Sequence, residues 1–192
     1  MAKRGLDGVV AAQTRLSHVD GLAGVLIIGG YELKDLAGKV SFEEAAHLLW
    51  CGHLPSAAET STLRRDIAAL RVLPDETMRV IRAAAKAPPI DALRMACATM
   101  SLDLPNPDDI SPAADLAAAR MLTARFPTVV AAHARLSVGK DPIAPRTDLS
   151  HAANFFPRDP DSLLRGVVFC LHHENKSAMA FLSAEMAIDG IS

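Results

Sequence analysis

His172, His173 and Glu174 form the densest run of titratable side chains in the chain. Neighbouring helical positions project about 100° apart, whereas a metal pair on a helix needs ligands three or four positions apart. The two imidazoles therefore read as hydrogen-bonded histidines on a buried helix, and no metal site is expected. His151 stands beside Asp148 and Ser150, the residue types of a nucleophilic triad. Such a triad assembles in space around an activated nucleophile, and no Gly-x-Ser-x-Gly elbow accompanies these three. Helix capping is the simpler role for Asp148 and Ser150. Gly29-Gly30 follows an apolar stretch but lacks a third glycine at dinucleotide-fingerprint spacing, so it is expected to be a turn.

Three cysteines, Cys51, Cys97 and Cys170, are widely separated and set among apolar residues, the pattern of buried free thiols. Met78, Met95, Met100 and Met121 read as core filler. Arg94 and Arg125 adjoin apolar helical positions. Either can snorkel or face an anionic ligand, with structural pairing the expected role.

The elements that must position these groups are mostly helical. Residues 8–30 are the one β-like stretch, with Val9 to Leu16 and Val25 to Ile28 flanking the turn-rich Asp20-Gly-Leu-Ala-Gly24, which predicts a small hairpin. From residue 32 to 192 helices are expected. Ser41-Phe-Glu-Glu44 is a capping box opening a helix that carries Ala45, Leu48 and Leu49 until Pro55. Helical spacing recurs at Leu63, Ile67 and Leu70, and at Met78, Ile81 and Ala85 after a Pro74-Asp75 start. A short helix follows Pro88 and Pro89. A longer helical stretch after Asp109 contains Pro127, which predicts a break at Phe126. Residues 139–146 read as a connection, followed by a short helix through Phe156 capped by Asp148 or Ser150. A final apolar helix is expected from Asp161 through Leu171.

The composition agrees with this. Half of the 192 residues are apolar, 22% are charged and only 4% are aromatic, a balance that excludes disorder and favours packed helices over sheet. Twenty basic and 22 acidic side chains give a net charge of −2, with no basic field for nucleic acid or anionic lipid. No apolar run approaches the ~18 residues of a membrane span. The opening lacks the apolar core of a signal peptide, so a cytoplasmic address is expected.

Four segments, in order and spacing, resemble the citrate synthase family. They are Gly5-Leu-Asp-Gly-Val9 with Val19-Asp-Gly21 and Gly30-Tyr-Glu-Leu-Lys-Asp-Leu-Ala37; Ser41-Phe-Glu-Glu through Gly52-His-Leu-Pro55; Pro89-Ile-Asp-Ala-Leu-Arg94; and Arg125-Phe-Pro-Thr-Val-Val-Ala-Ala132 with Asp148-Leu-Ser-His-Ala-Ala-Asn-Phe155. The resemblance covers about residues 5–175. It implies an all-α, multi-helical large-domain portion with a small N-terminal β-hairpin, a single incomplete domain over residues 1–192 corresponding to the family's N-terminal half.

The resemblance also implies a role for Leu171-His-His-Glu174, which is similar to the family's Asp-His-Glu segment, whose histidine contacts oxaloacetate. That role falls to His173. Two departures accompany it. Asn175, Lys176 and Ser177 follow Glu174 one residue early, and Gly29-Gly30 stands where members commonly have Arg-Gly. The family condenses acetyl-CoA with oxaloacetate, or a related 2-oxo acid, using a carboxylate base, an enol-stabilising histidine in Gly-Pro-x-His-Gly and several arginines. None of the seven histidines here is followed by glycine. No catalytic residue is therefore expected within these 192 residues, and the chain alone is expected to be inactive. Acetyl-CoA is expected as a co-substrate, with no bound cofactor. The implied partners are a second copy in a homodimer, or a missing C-terminal half in a split synthase; a non-catalytic scaffold relative is the alternative.

Overall fold

A computed structural model describes residues 13–155. It begins with an antiparallel sheet of three strands in the order β1 (Ser17–Asp20), β2 (Val25–Ile28), β3 (Tyr31–Glu32). Asp20 sets the first turn, its Oδ1 accepting from the backbone of Leu22 at 3.0 Å and Ala23 at 2.9 Å. The second turn is Gly29-Gly30, with φ of 55° and 91°. Positive φ at both central residues suits a two-residue hairpin connection. A Cβ at Gly29 would lie 2.7 Å from Leu48 Cγ, so this turn sits directly on the first long helix.

The hairpin differs from expectation in two ways. The first described strand runs Ser17–Asp20, beyond the expected end at Leu16, while residues 9–12 lie outside the described residues; a third strand occupies positions 31–32. β2 is four residues long and ends in the glycine turn, so its partner pairs only from Ser17 opposite Ile28 to Asp20 opposite Val25.

Seven helices follow in the described residues: α1 (Leu33–Leu36), α2 (Phe42–Cys51), α3 (Ala57–Ala69), α4 (Asp75–Ala83), α5 (Pro89–Cys97), α6 (Pro112–Ser137) and α7 (His151–Phe155). The capping box at Ser41 forms as expected, with Ser41 N donating to Glu44 Oε2 at 2.6 Å and Glu44 N donating to Ser41 Oγ at 3.4 Å. Gly52, at φ 82°, ends α2 with its N–H on the Leu48 carbonyl. A second capping box, Ser56 with Glu59, opens α3. Pro89 occupies the first turn of α5, where its missing N–H costs nothing.

α6 is one continuous helix through Pro127, which corrects the break expected at Phe126. An internal proline loses one backbone hydrogen bond and costs about 3 kcal/mol. Here Met121, Ala124, Val129 and Ala132 are all buried on the flanking turns. Each fully buried larger apolar side chain contributes roughly 1.5–3 kcal/mol, so packing outweighs the local penalty. These side chains place α6 in both apolar clusters. Met121, Val129 and Ala132 join Leu73, Ile81, Ala96 and Met100, while Ala124 joins Leu63 and Ile67 beneath Trp50 and Leu70. α6 thus packs against α3, α4, α5 and α7. No helix among the described residues is long and apolar enough to cross a membrane.

Two smaller expectations also change. Cys51 is exposed, because the last residue of α2 faces solvent beside the left-handed Gly52. Cys97 is partly buried, and burial pushes its thiol up. Met100 and Met121 are buried and Met78 packs beside them, but Met95 is 42% exposed on the outer face of α5. Cys170 and the helix expected from Asp161 lie outside the described residues.

Candidate functional site

The most concentrated polar chemistry in the described residues grows from the Ser-Phe-Glu-Glu start of α2. Glu44 turns back to cap the helix, and Glu43, one position earlier, points about 100° away into the interior. Glu43 is fully buried. Its Oε1 accepts from the backbone N–H of His151 at 2.9 Å and lies 3.8 Å from Arg64 Nε on α3. Arg71, just past α3, is 1% exposed, and its Nη1 donates to the carbonyls of Arg146 at 2.6 Å and Leu149 at 2.9 Å. One guanidinium thereby ties the connection before α7 to the end of α3.

Burial pulls the Arg71 guanidinium below its ordinary range, partly offset by the charge of Glu43. Burial and, secondarily, the Arg71 charge push His151 down to about 4. The His151 ring is therefore neutral near neutral pH and stacks on Phe42 with centroids 4.5 Å apart. Glu43 Oε2, Arg71 Nε and Nη2, and His151 Nδ1 have no hydrogen-bond partner among the described residues. Among the described residues of this corner, Arg64 and Arg71 stand against one carboxylate and a neutral imidazole, an excess of positive charge. Its geometry is that of an ionic clamp joining α2, α3 and α7.

His151, Asp148 and Ser150 do not converge. Asp148 forms a forked pair with Arg146, Ser150 Oγ accepts from Ala153 N at 3.1 Å as a helix cap, and His151 turns inward. Arg125 is held by Asp103 through Nη1–Oδ1 at 2.9 Å and Nη2–Oδ2 at 2.5 Å, and this bond keeps the Asp103 carboxyl below its ordinary range. The pair edges an open depression of about 400 Å³ beside Leu70, Val72 and Pro74. Arg94 pairs with Asp91 on the surface of α5.

His172, His173 and Glu174 lie outside the described residues. Sequence reasoning passed over Glu43, Arg64 and Arg71. Their signal was a second carboxylate beside the capping Glu44 and an arginine inside an apolar run, neither of which indicates burial by itself. It also passed over His47, His53 and Glu59, which the fold brings together at the α2–α3 corner.

The family model described as "Citrate synthase, C-terminal domain" matches residues 5–180. A citrate synthase of Haloferax volcanii is 40% identical over 158 residues, covering 80% of this chain and 42% of that protein. A 2-methylcitrate synthase of Mycobacterium tuberculosis is 39% identical over 158 residues, covering 80% of this chain and 39% of that protein. The crystal structure of citrate synthase from Pyrobaculum aerophilum aligns with a TM-score of 0.75 at 35% identity, over 84% of this chain and 44% of that one. The chain spans less than half the length of these relatives. The match runs through the sheet, the Ser-Phe-Glu-Glu helix, α6 and the segment containing His173, and this chain belongs to the citrate synthase family.

Proposed function

We propose that this chain supplies the N-terminal portion of a synthase that condenses acetyl-CoA with oxaloacetate or a related 2-oxo acid in the cytoplasm. His173 holds the keto acid in this reading. The observation that carries it is the match over residues 5–180, which takes in His173 along with the helices that precede it. The relatives include both citrate and 2-methylcitrate synthases, so the acceptor is assigned only as a small 2-oxo acid.

Condensation requires a base to remove a methyl proton, a donor to stabilise the enol and cationic groups to hold the dicarboxylate. His173 supplies at most the polarisation of the acceptor ketone. Each missing acid/base or electrostatic group typically costs about 10²-fold or more. In this reading these 192 residues alone are inactive, and turnover requires the residues that supply those groups. Association with another copy or with a segment that carries those groups belongs to the same reading.

Two measurements test the reading. Purified chain incubated with acetyl-CoA and oxaloacetate is expected to release no thiol above the uncatalysed rate, and thiol release at enzymatic rates defeats the half-enzyme assignment. Calorimetric titration with oxaloacetate is expected to give binding that His173→Ala abolishes. Equal binding by the variant overturns the role of His173, and no binding by either protein favours a helical scaffold without ligand. Sedimentation as a well-behaved monomer counts against the association.

A further inference from the structure

The turn between α2 and α3 gathers three potential metal ligands six residues apart in sequence: His47 in the last turns of α2, His53 in the connection and Glu59 in the first turn of α3. One ligand atom from each lies within 4.8 Å of the other two. Gly52 makes this possible, because its left-handed backbone reverses the chain immediately after α2 and returns His53 over the face that carries His47.

The hydrogen bonds around the rings select which nitrogens are free. His47 Nδ1 lies 3.0 Å from the carbonyl of His53, and His53 Nδ1 lies 3.1 Å from the carbonyl of Leu54. A carbonyl oxygen only accepts, so each Nδ1 carries the proton and the neutral ring keeps its lone pair on Nε2. An Nδ1–H donated to a backbone carbonyl is the usual outer-shell arrangement of a metal-binding histidine. Glu59 is oriented in the same manner: its Oε2 accepts from Ser56 N and from Ser56 Oγ, each at 2.8 Å. Those bonds hold its carboxyl below the ordinary range and leave Oε1 for another partner.

We propose that His47, His53 and Glu59 form a binding site for a zinc-type divalent cation at the α2–α3 corner. Two imidazoles and one carboxylate suit a borderline-soft ion, whereas magnesium and calcium prefer all-oxygen sets. His47 is 7% exposed and walls the site on the protein side, while His53 and Glu59 are exposed. The ion therefore keeps a coordination position open to water or a small anion. It staples the end of α2 to the start of α3, and this is independent of the condensation chemistry.

The test is titration of the chelator-treated chain with Zn²⁺ alone, read by competition with a chromophoric chelator, with Co²⁺ absorption reporting coordination geometry. Each experiment is run in the presence of reductant. The expected result is one equivalent bound, with a rise in melting temperature. Glu59→Gln keeps the capping hydrogen bonds but removes the charge, and His53→Gln changes an exposed ring. Ser56→Ala, which removes an outer-shell partner of Glu59 together with the hydroxyl cap of α3, is expected to weaken binding about 10- to 100-fold. Glu59→Gln and His53→Gln are expected to weaken it further, with helix content retained by circular dichroism in the absence of metal. Undiminished binding in the Glu59→Gln/His53→Gln double variant would place the ion elsewhere and overturn the proposal. Failure of the unmodified chain to bind Zn²⁺ overturns it equally.

Discussion

Glu43 and His47 lie one turn apart on the same buried face of α2, yet they enter opposite kinds of environment. Glu43 faces an enclosed corner where, among the described residues, Arg64, Arg71 and His151 surround a single carboxylate and several polar atoms have no partner. His47 faces a corner that opens to solvent, where backbone carbonyls, Ser56 and Glu59 orient the polar groups. Both corners combine a glutamate with histidine. What separates them is water: without it, charges must pair and a histidine stays neutral; with it, a histidine can offer its lone pair at little cost.

The largest test of that contrast is Glu43→Ala. Removing this buried carboxylate orphans the His151 N–H, breaks the pair with Arg64 and takes away the charge that offsets the burial of Arg71; breaking a buried pair typically costs about 3–5 kcal/mol. Urea unfolding of the variant is expected to show a loss on this scale, and a loss under about 1 kcal/mol would mean that the corner is solvated.

The next effect is a dependence on pH. His151 titrates at about 4 in the folded chain, below its ordinary 6.5, so the unfolded state binds more protons between those values. Its contribution is present in full above pH 6.5 and is lost as pH falls toward 4, with an upper magnitude of about 3 kcal/mol. His151→Phe preserves a ring against Phe42 and is expected to flatten the stability profile across that window. An unchanged slope in urea melts at pH 4.5 and 7 would assign the dependence to other groups.

The open corner responds least. Ser56→Ala removes the hydroxyl cap of α3, for which about 1 kcal/mol is typical. Thermal melts in the absence of metal are expected to show that modest loss, smaller than either effect at the enclosed corner. If Ser56→Ala matched Glu43→Ala, the distinction between the two corners would fail.

Much of the fold was legible locally. The Ser41 capping box, the glycine turn at 29–30, the starts at Pro74-Asp75 and Pro89, and the cap at Ser150 all depend on residues within four positions of one another. Such signals survive in a linear reading because their geometry is local. Other readings failed where distant packing outvoted a local preference. Pro127 should interrupt a helix, but α6 lies in both apolar clusters and remains continuous. Cys51 and Met95 look like core residues by type, and only the orientation of their helices turns them outward.

By itself, the sequence determined the helical class, most caps and turns, and membership of the citrate synthase family, because periodicity, capping chemistry and ordered motifs are all written along the chain. The tertiary structure alone decided that Glu43 is interior, that Arg71 reaches Arg146 and Leu149 some 75 and 78 positions away, and that His47, His53 and Glu59 share a corner. Burial and convergence depend on how helices cross one another, and a side chain's charge state follows from the water left around it, which no local pattern records.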